Sequence, residues 1–415
     1  MAAAAAGGER APRPPVLCIA THEESVVRDA AMYRHWGGDW PRDLFLAREA
    51  ALVATPWTAR KVYWVLKRDG GDGPIVANCE TYTVPSLLDG DAGCVHILTS
   101  IFVDADKRRC GYGAAVIREV IAAMEARPPP AATGVDHAHA CALFSEIGAE
   151  YYARLGFRPA WTSNYNLRLP VPVVPAPPPI VPPPGLRLYY LRDPALPELA
   201  ALTPRRDAGD AAYLQPPQWP AGSAGGALRT EGTPQQAAWQ LVYSKYEHMH
   251  AGVPQPPACG VLVVADTVPP DCAPTDASQV AGYAVWKADF DHDVLQLLTV
   301  CATSPPVAAT LAAAARHAAS GLHLPAVTAF LAADDAAAAG GGAGGSDDKG
   351  GDGGPAAAVA AATPTARWLL GEPGAEVVPR VGALPMYRPC PKRGGADGET
   401  WEIGGWAGVE RVTWC

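Results

Sequence analysis

Apolar runs and amphipathic stretches alternate along the first part of the chain, and they predict a mixed sheet with helices between its strands. Runs rich in β-branched and aromatic residues predict strands at Val16–Ala20, Val62–Leu66, Ile75–Thr83, Val95–Val103 and Ala138–Phe144. Apolar residues at helical spacing predict helices from Thr21 to about Trp36, from Pro41 to about Val53, over Ala114–Glu125 and over Ala149–Leu155. Thr21 and Glu24 match a capping box, which sets the start of the first helix.

A similar order of elements returns in the second part of the chain. The predicted strands are Leu186–Leu191, Gly260–Ala265, Val280–Ala288, Asp293–Val300 and Ala326–Leu331. The predicted helices are Pro234–Met249, Val307–Leu322 and the short Ala366–Leu370, and possible strands follow Glu376. In the first of these helices Trp239, Tyr243 and Tyr246 share one face, which favours a packing role for all three.

Changes in composition divide the 415 residues into two domains. Small residues and prolines predict a disordered tail at 1–15, and the first domain then spans 16–169. Residues 170–185 are rich in proline and predict a stiff linker. The second domain spans 186–415 and contains a Gly/Ala-rich insert at 336–366, which we expect to be disordered.

The net charge of −9 argues against a nucleic-acid partner and agrees with a cationic substrate. Ten cysteines without a Cys-x-x-Cys pair predict reduced thiols rather than a disulfide framework or a zinc site. No apolar run is long enough to predict a membrane span, and the N-terminal residues lack the order of a secretory signal. We therefore expect a cytoplasmic protein without a membrane partner, although Arg10 and Arg13 leave an organellar transit segment open. The sequence does not indicate an oligomeric state.

The predicted junction between strand Val95–Val103 and helix Ala114–Glu125 contains two glycines, Gly111 and Gly113. Without β-carbons they allow a ligand to lie against the backbone, and the N–H groups of a helix start favour an anion. Arg108 and Arg109 add positive charge beside them. The pattern suits a pyrophosphate, and it is also compatible with a plain tight turn. The phosphate-loop pattern Gly-x4-Gly-Lys-Ser/Thr and the third glycine of a dinucleotide fingerprint are absent from this junction.

Two motifs resemble those of the GNAT superfamily of N-acetyltransferases. The pattern Val103-x4-Arg108-x-x-Gly111-x-Gly113 resembles the family's acetyl-coenzyme A (acetyl-CoA) loop, with Ala105 where the family often has proline. The second, Tyr152-x-x-x-Gly156-Phe157, resembles the family's signature after the fifth strand. The resemblance implies a mixed-sheet α/β GNAT fold that uses acetyl-CoA. It also implies cofactor-binding positions at Phe102, Val103, Arg108, Arg109, Cys110, Gly111, Tyr112, Gly113 and Ala114.

The second half resembles a degenerate GNAT domain, because its predicted elements follow the same order. Its matching junction reads Ala302-Thr303-Ser304-Pro305-Pro306, without a glycine pair or an arginine. We therefore expect it not to bind coenzyme A. Two roles remain open at this point: it closes over the first domain and shapes the substrate pocket, or it only buries an apolar face.

Further motifs resemble the fungal-type lysine N6-acetyltransferases, in the stretches 20–24, 48–49, 78–81 and 143–148 together with Tyr152. This resemblance implies transfer of an acetyl group to the side-chain amine of free lysine, a small-molecule substrate, in lysine breakdown. Two other functions remain open: acetylation of protein or peptide amines, and coenzyme A binding without catalysis.

The resemblance also implies catalytic roles. Tyr152 matches the tyrosine that donates to the coenzyme A sulfur, whereas Tyr151 has no match and is interpreted as packing. An ammonium group must lose a proton before its amine can attack. Glu80 is a candidate to accept that proton through a water or to pair with the amine, and a solvent-facing strand carboxylate is the alternative.

No metal site is predicted from the sequence. His137 and His139 are spaced by one residue, but no cysteine or carboxylate lies at ligand spacing beside them. The run Asp289–Asp293 lacks the glycine and terminal glutamate of a calcium loop. It remains the best acidic cluster in the second domain for a cationic substrate to meet.

Overall fold

A computed structural model of the chain describes residues 13–88, 91–126, 135–159, 165–173, 178–192, 226–230, 234–270, 272–330, 368–379, 384–392, 399–400 and 403–407. The predicted insert 336–366 and residues 1–12 of the predicted tail lie outside the described residues. Within the described part, no helix is long and apolar enough to cross a membrane.

The described strands form two mixed sheets. In chain order they are β1 (Val16–Ile19), β2 (Lys61–Lys67), β3 (Ile75–Leu88), β4 (Asp91–Val103), β5 (Ala138–Ser145), β6 (Arg158–Pro159), β7 (Tyr165–Pro170), β8 (Leu186–Leu191), β9 (Gly226–Thr230), β10 (Gly260–Ala265), β11 (Val280–Asp289), β12 (Val294–Ala302), β13 (Ala326–Phe330), β14 (Glu376–Pro379), β15 (Leu384–Pro389) and β16 (Ile403–Ala407).

The principal helices are α1 (His22–Trp36), α2 (Arg42–Val53), α3 (Tyr112–Glu125), α4 (Ala149–Ala153), α5 (Pro234–Ala251) and α6 (Pro305–Gly321). The predicted capping box is present at the start of α1: the Glu24 amide donates to Thr21 Oγ1, and the Thr21 amide donates to the Glu24 carboxylate. Helix α2 begins one residue later than predicted, because Pro41 occupies the N-cap position.

The first sheet has the strand order β1-β2-β3-β4-β5-β15-β6. Neighbouring strands from β1 to β4 are antiparallel, and α3 then crosses over so that β5 lies parallel to β4. Val116, Val120 and Ile121 of α3 are buried against this sheet, as their spacing predicts. Strand β3 extends beyond its pairing with β2, and its last three residues, 86–88, pair with β9. Strand β16 in turn pairs with β9.

The second sheet repeats this plan with the order β8-β10-β11-β12-β13-β7-β14. Here β8 to β12 are antiparallel, and α6 crosses over so that β13 lies parallel to β12. Position by position, the seven strands from β1 to β6 in the first sheet each have an equivalent in the second, whereas β9 and β16 have none, and α6 is the equivalent of α3.

The division between the sheets differs from the predicted boundary at 169–170. Strand β7, placed by the sequence in the first domain, lies in the second sheet between β13 and β14. Strand β15, placed in the second domain, lies in the first sheet between β5 and β6. The burial of apolar side chains is the physical reason: Leu167 and Leu169 complete the second core, and Met386 completes the first.

Helix α5 connects the two halves. It packs against α2 of the first half and against β11 of the second. Trp239 is buried in an apolar cluster with Trp57 and Tyr82 of the first half. Two residues of the predicted packing face, Trp239 and Tyr243, therefore do contact the first domain; the Tyr243 hydroxyl also accepts a hydrogen bond from Arg48 at 3.1 Å.

Candidate active site

Strands β4 and β5 pair along one half of their length and then separate. Their last paired residues are Leu98 and Leu143, while β4 continues to Val103. The separation opens a cleft of about 520 Å³, a size typical of small-molecule sites. Its lining includes Ile101, Phe102 and Val103 from β4, the loop before α3, Ile147, Tyr151, Tyr152, and His35 and Trp36 from the end of α1.

The loop before α3 forms one end of this cleft, with Arg108, Arg109, Gly111, Tyr112, Gly113 and Ala114 among the lining residues. Gly111 is the N-cap of α3 and has a φ of 82°, in the left-handed region that suits glycine. Among the described residues, nothing lies within 4 Å of the point where a β-carbon of Gly111 would stand. The amide groups of the first helical turn have no acceptor within the helix, and the positive end of the helix dipole lies behind them.

Arg108 and Arg109 are both exposed at this end. Arg108 Nε donates to the Val103 carbonyl at 3.1 Å, which ties the side chain to the end of β4. Cys110 is exposed and does not line the cleft, although the sequence analysis included it among the cofactor-binding positions.

A bulge in β4 lies at the inner end of the cleft. The pairing of β3 with β4 shifts between Asn78 and Glu80, and Ser100 has a φ of 48°. Buried Asn78 supports the bulge, because its amide donates to the Ser100 carbonyl at 3.1 Å and its oxygen accepts from Arg28 Nε at 2.9 Å. Arg28 in turn pairs with Asp104 at 3.1 Å. This network fixes the backbone that leads into the cleft.

Tyr151 and Tyr152 both line the cleft, with their rings edge to face at 5.1 Å. Tyr152 is 8% exposed, and burial raises the pKa of its phenol well above the ordinary value, so the hydroxyl remains protonated at neutral pH. The Tyr151 hydroxyl lies against Gly113, where it would be 2.9 Å from an added β-carbon. A larger residue at position 113 would therefore displace the Tyr151 hydroxyl.

Glu80 is buried on β3 rather than facing solvent. Its carboxylate forms an ion pair with Lys61 Nζ at 2.5 Å and accepts a hydrogen bond from Ser100 Oγ at 3.0 Å. Glu80 therefore contacts the bulge of β4, one residue before the cleft-lining Ile101. It is not among the residues that line the cleft.

Asp29 on α1 lies beside this carboxylate and was missed by the sequence analysis. Tyr63 Oη donates to Asp29 Oδ1 at 3.4 Å. Burial, with the charge of Glu80 as a second cause, raises the pKa of Asp29 to about 7. A polar residue inside an amphipathic helix gives no signal of its own in the sequence, and its proximity to Glu80 arises only when α1 packs on β2 and β3.

The acidic run predicted to meet a cationic substrate lies near α5. Oxygens of Asp289, Asp291 and Glu247 come within 4.8 Å of one another. Lys287 Nζ is 3.6 Å from Glu247, and His292 Nδ1 is 2.9 Å from Asp289. This cluster therefore already contains one cationic side chain, that of Lys287.

The sequence analysis predicted no metal site at His137 and His139 because it found no carboxylate at ligand spacing beside them. The fold brings a carboxylate to both histidines. Asp91, distant in sequence, lies 2.7 Å from His137 and 2.9 Å from His139. The sequence analysis ended β3 at Thr83 and began β4 at Val95, whereas the two strands continue as a hairpin arm through Pro85 to Asp91. Proline, which usually interrupts a strand, concealed this arm.

Comparison with solved structures identifies the fold. A GCN5-related N-acetyltransferase from Anabaena variabilis matches 90% of this chain and 72% of its own at 12% identity, with a TM-score of 0.50. A conserved protein from Enterococcus faecalis, described as a probable N-acyltransferase, covers 91% and 73% at 11% identity with a TM-score of 0.47. A tandem GNAT protein from the clavulanic acid biosynthesis pathway covers 91% and 98% at 12% identity with a TM-score of 0.41.

The chain has a GNAT fold. Together with the repeated sheet order described above, the likeness to the Anabaena structure confirms the predicted mixed α/β architecture with a second GNAT-like sheet. No family model matches the sequence, and no curated protein is similar to it. At 12% identity the likeness concerns the fold, so the reaction follows from the site.

Proposed function

We propose that this protein transfers an acetyl group from acetyl-CoA to a primary amine. The observation that carries the proposal is the cleft between β4 and β5, which has the start of α3 at one end and, at the other, the β4 bulge that Glu80 contacts through Ser100. Acetyl-CoA would supply the activated acetyl group as a thioester. The protein must then bind two phosphates, deprotonate an ammonium group and stabilise a departing thiolate.

The residues of the α3 junction fit the first of these tasks. The free amides of Tyr112, Gly113 and Ala114 and the charges of Arg108 and Arg109 would hold the pyrophosphate. Phe102 and Val103, beyond the last paired residue of β4, would present backbone groups to the pantetheine arm in the manner of an added strand.

Asp29 is the general base in this proposal. A carboxylate with a pKa of about 7 is half ionised at neutral pH and can accept a proton from an ammonium group. Glu80 supplies the negative charge that helps to hold this pKa high, and its own carboxylate is already engaged by Lys61. The protonated Tyr152 hydroxyl would donate a hydrogen bond to the departing sulfur.

Within this class we propose the side-chain amine of free lysine as the acceptor. The support is the set of sequence motifs that resemble those of lysine N6-acetyltransferases, together with the buried carboxylate of Glu80, which would attract a cationic side chain. Recognition of a whole amino acid also requires groups for its α-carboxylate and α-amine.

An amine panel tests both levels of the proposal. The purified chain would be incubated with acetyl-CoA and L-lysine, Nε-acetyl-lysine, a diamine or a lysine-containing peptide, and free thiol release would be followed. We expect release with L-lysine but not with Nε-acetyl-lysine. Faster turnover of the peptide would replace lysine by a peptide acceptor, and tight acetyl-CoA binding without turnover of any amine would indicate a binding module.

A further inference from the structure

Three metal-ligand atoms converge at the end of β4 that is opposite the cleft. His137 Nε2 is 3.3 Å from His139 Nε2, and Asp91 Oδ2 lies 2.7 Å from the first and 2.9 Å from the second. Two imidazoles and one carboxylate form a donor set that zinc uses in proteins. The three residues come from the starts of two neighbouring parallel strands, β4 and β5.

The other ring nitrogens are also engaged, and this fixes the direction of the lone pairs. His137 Nδ1 lies 2.8 Å from Asp136 Oδ1, and His139 Nδ1 lies 2.9 Å from Ser86 Oγ. An ionised carboxylate can only accept, so His137 carries its proton on Nδ1. In the neutral ring, Nε2 is then a bare acceptor that faces the Asp91 carboxylate.

Two acceptors at 2.7 Å require a positive species between them. That species is either a second proton on His137 or a metal ion. Outer oxygen partners of the kind supplied by Asp136 and Ser86 orient metal-binding histidines in known sites.

A glycine on β4, Gly93, leaves space for the ring of His139. The ring of His139 lies over Gly93 of β4, where an added β-carbon would stand 2.5 Å from the ring. Any larger residue at 93 would displace the imidazole. Gly93 pairs with Ser86 across β3 and β4, so one glycine accommodates the ring next to its hydroxyl partner.

The distances also suit a tetrahedral ion. Ligand atoms bound at 2.0–2.1 Å to zinc stand about 3.3–3.4 Å apart, which is the separation of the two Nε2 atoms. Asp91 Oδ2 would move outward by about half an ångström to reach this spacing. Its side chain is 46% exposed and can make that movement, while His139 is fully buried and stays in place.

We propose that Asp91, His137 and His139 bind one zinc ion, with water in the fourth position. The ion would link the start of β4 to the start of β5. Cys390, which follows β15, donates its amide to the His139 carbonyl, so the proposed zinc site also lies next to the end of β15. Asp91 and Val103 lie at opposite ends of β4, roughly 40 Å of extended chain apart, and the ion therefore acts on stability rather than on acetyl transfer.

The test uses the full-length chain without an affinity tag, stripped with a chelator and then dialysed. Calorimetric titration with zinc chloride should give one ion per chain, and the melting temperature should rise with zinc concentration. Cobalt should give visible absorption at the same stoichiometry, and excess magnesium should not compete because it prefers oxygen ligands. Acetyl-CoA affinity should be the same with and without zinc.

Two variants report on the ligands and one on an outer partner. Asp91→Asn and His137→Gln should weaken zinc binding by more than the roughly 10- to 100-fold expected for Asp136→Asn. His22→Gln, at an exposed histidine of α1, serves as the matched control and should bind as the parent does. Equal far-ultraviolet circular dichroism in chelator would show that the variants are folded.

Two results would overturn the assignment. One is the absence of zinc binding by the parent, with His137 observed as an imidazolium by NMR in the presence of the metal. The other is zinc binding and a thermal shift that persist unchanged in folded Asp91→Asn and His137→Gln.

Discussion

The two strand-to-helix junctions have the same topology and differ in the space around them. At the first, between β4 and α3, no described residue lies within 4 Å of the β-carbon position of Gly111. At the second, between β12 and α6, the chain passes through Thr303 and Ser304 directly into Pro305. There, Val307 packs so closely on Gly282 of β11 that its Cγ1 would be 2.5 Å from an added β-carbon.

The second junction is also held by its own hydrogen bonds. The amide and the hydroxyl of Thr303 both donate to the Ala281 carbonyl, at 3.0 Å and 2.7 Å. The two helix starts therefore differ in the features that favour an anion. Gly111 at the first is left-handed with no described residue near its β-carbon position, whereas Ser304 at the second is extended.

The largest expected effect comes from placing a negative charge at the first junction. Gly111→Asp should abolish acetyl-CoA binding, because a side chain and a like charge would enter the space where the phosphates are proposed to lie. Loss of even one charge-assisted hydrogen bond weakens binding by about 1.5–3 kcal/mol. Isothermal titration calorimetry with acetyl-CoA measures the change.

Ser304→Asp is the matched control at the second junction. Aspartate is a good N-cap, and its charge is favourable at a helix start, so the variant should be at least as stable as the parent. Its acetyl-CoA affinity should equal that of the parent. A Gly111→Asp variant that still binds acetyl-CoA normally would remove the first junction from the site.

The next largest effect is expected for Asp29→Asn. Loss of a general base lowers turnover by about 10²- to 10⁴-fold. The parent's kcat/KM should rise with pH through about 7 as Asp29 ionises, and the variant should lack this step. A pH–rate profile with the best amine checks both, and an unchanged profile would exclude Asp29 as the base.

The same substitution should stabilise the fold, which separates lost catalysis from unfolding. An unfolded chain holds an aspartate pKa near 4, whereas the folded protein holds that of Asp29 at about 7. The folded state thus binds a proton that the unfolded state releases, and the penalty grows between about pH 4 and pH 7. At pH 8 the melting temperature of Asp29→Asn should exceed that of the parent.

Tyr152→Phe should lower turnover by roughly 10- to 100-fold, the value of one hydrogen bond to a charged group. With its pKa raised by burial, the phenol is a weak acid and acts as a hydrogen-bond donor rather than by complete proton transfer. Acetyl-CoA affinity should change little. Tyr151→Phe is the companion variant, and an equal loss of turnover in both would show that the effect is not specific to the Tyr152 hydroxyl.

The smallest effect is expected where α5 meets the first half. Tyr243→Phe removes the hydrogen bond to Arg48 but retains the ring 4.6 Å from the guanidinium. We expect a loss of about 1 kcal/mol in the free energy of unfolding, measured by urea denaturation, and unchanged acetyl-CoA affinity. A raised KM for the amine would show that this contact shapes the substrate pocket, the first of the two roles left open by the sequence.

Local patterns predicted most of the first sheet. The strands and helices around the glycine loop follow apolar periodicity and capping chemistry, which act over a few residues, as in the capping box of α1. The resemblance to GNAT motifs located the lining residues Phe102, Gly111 and Tyr152.

Features that depend on distant partners could not be predicted in this way. The raised pKa of Asp29 depends on its packing against Glu80, and the histidine–aspartate cluster depends on a hairpin arm that runs through Pro85. The exchange of β7 and β15 depends on which core has room for Leu167 or Met386. Each of these arises from tertiary packing, and the sequence carries no local signal for it.

The exchanged strand β15 has a consequence for how the molecule is made. Its neighbour β5 pairs with a strand that lies nearly 250 residues later in the sequence, as the Cys141–Cys390 contact shows. During synthesis the first sheet therefore keeps an unpaired gap between β5 and β6 until residues 384–389 have left the ribosome. A truncated first half would present this gap to other chains and aggregate, so the two halves must mature together.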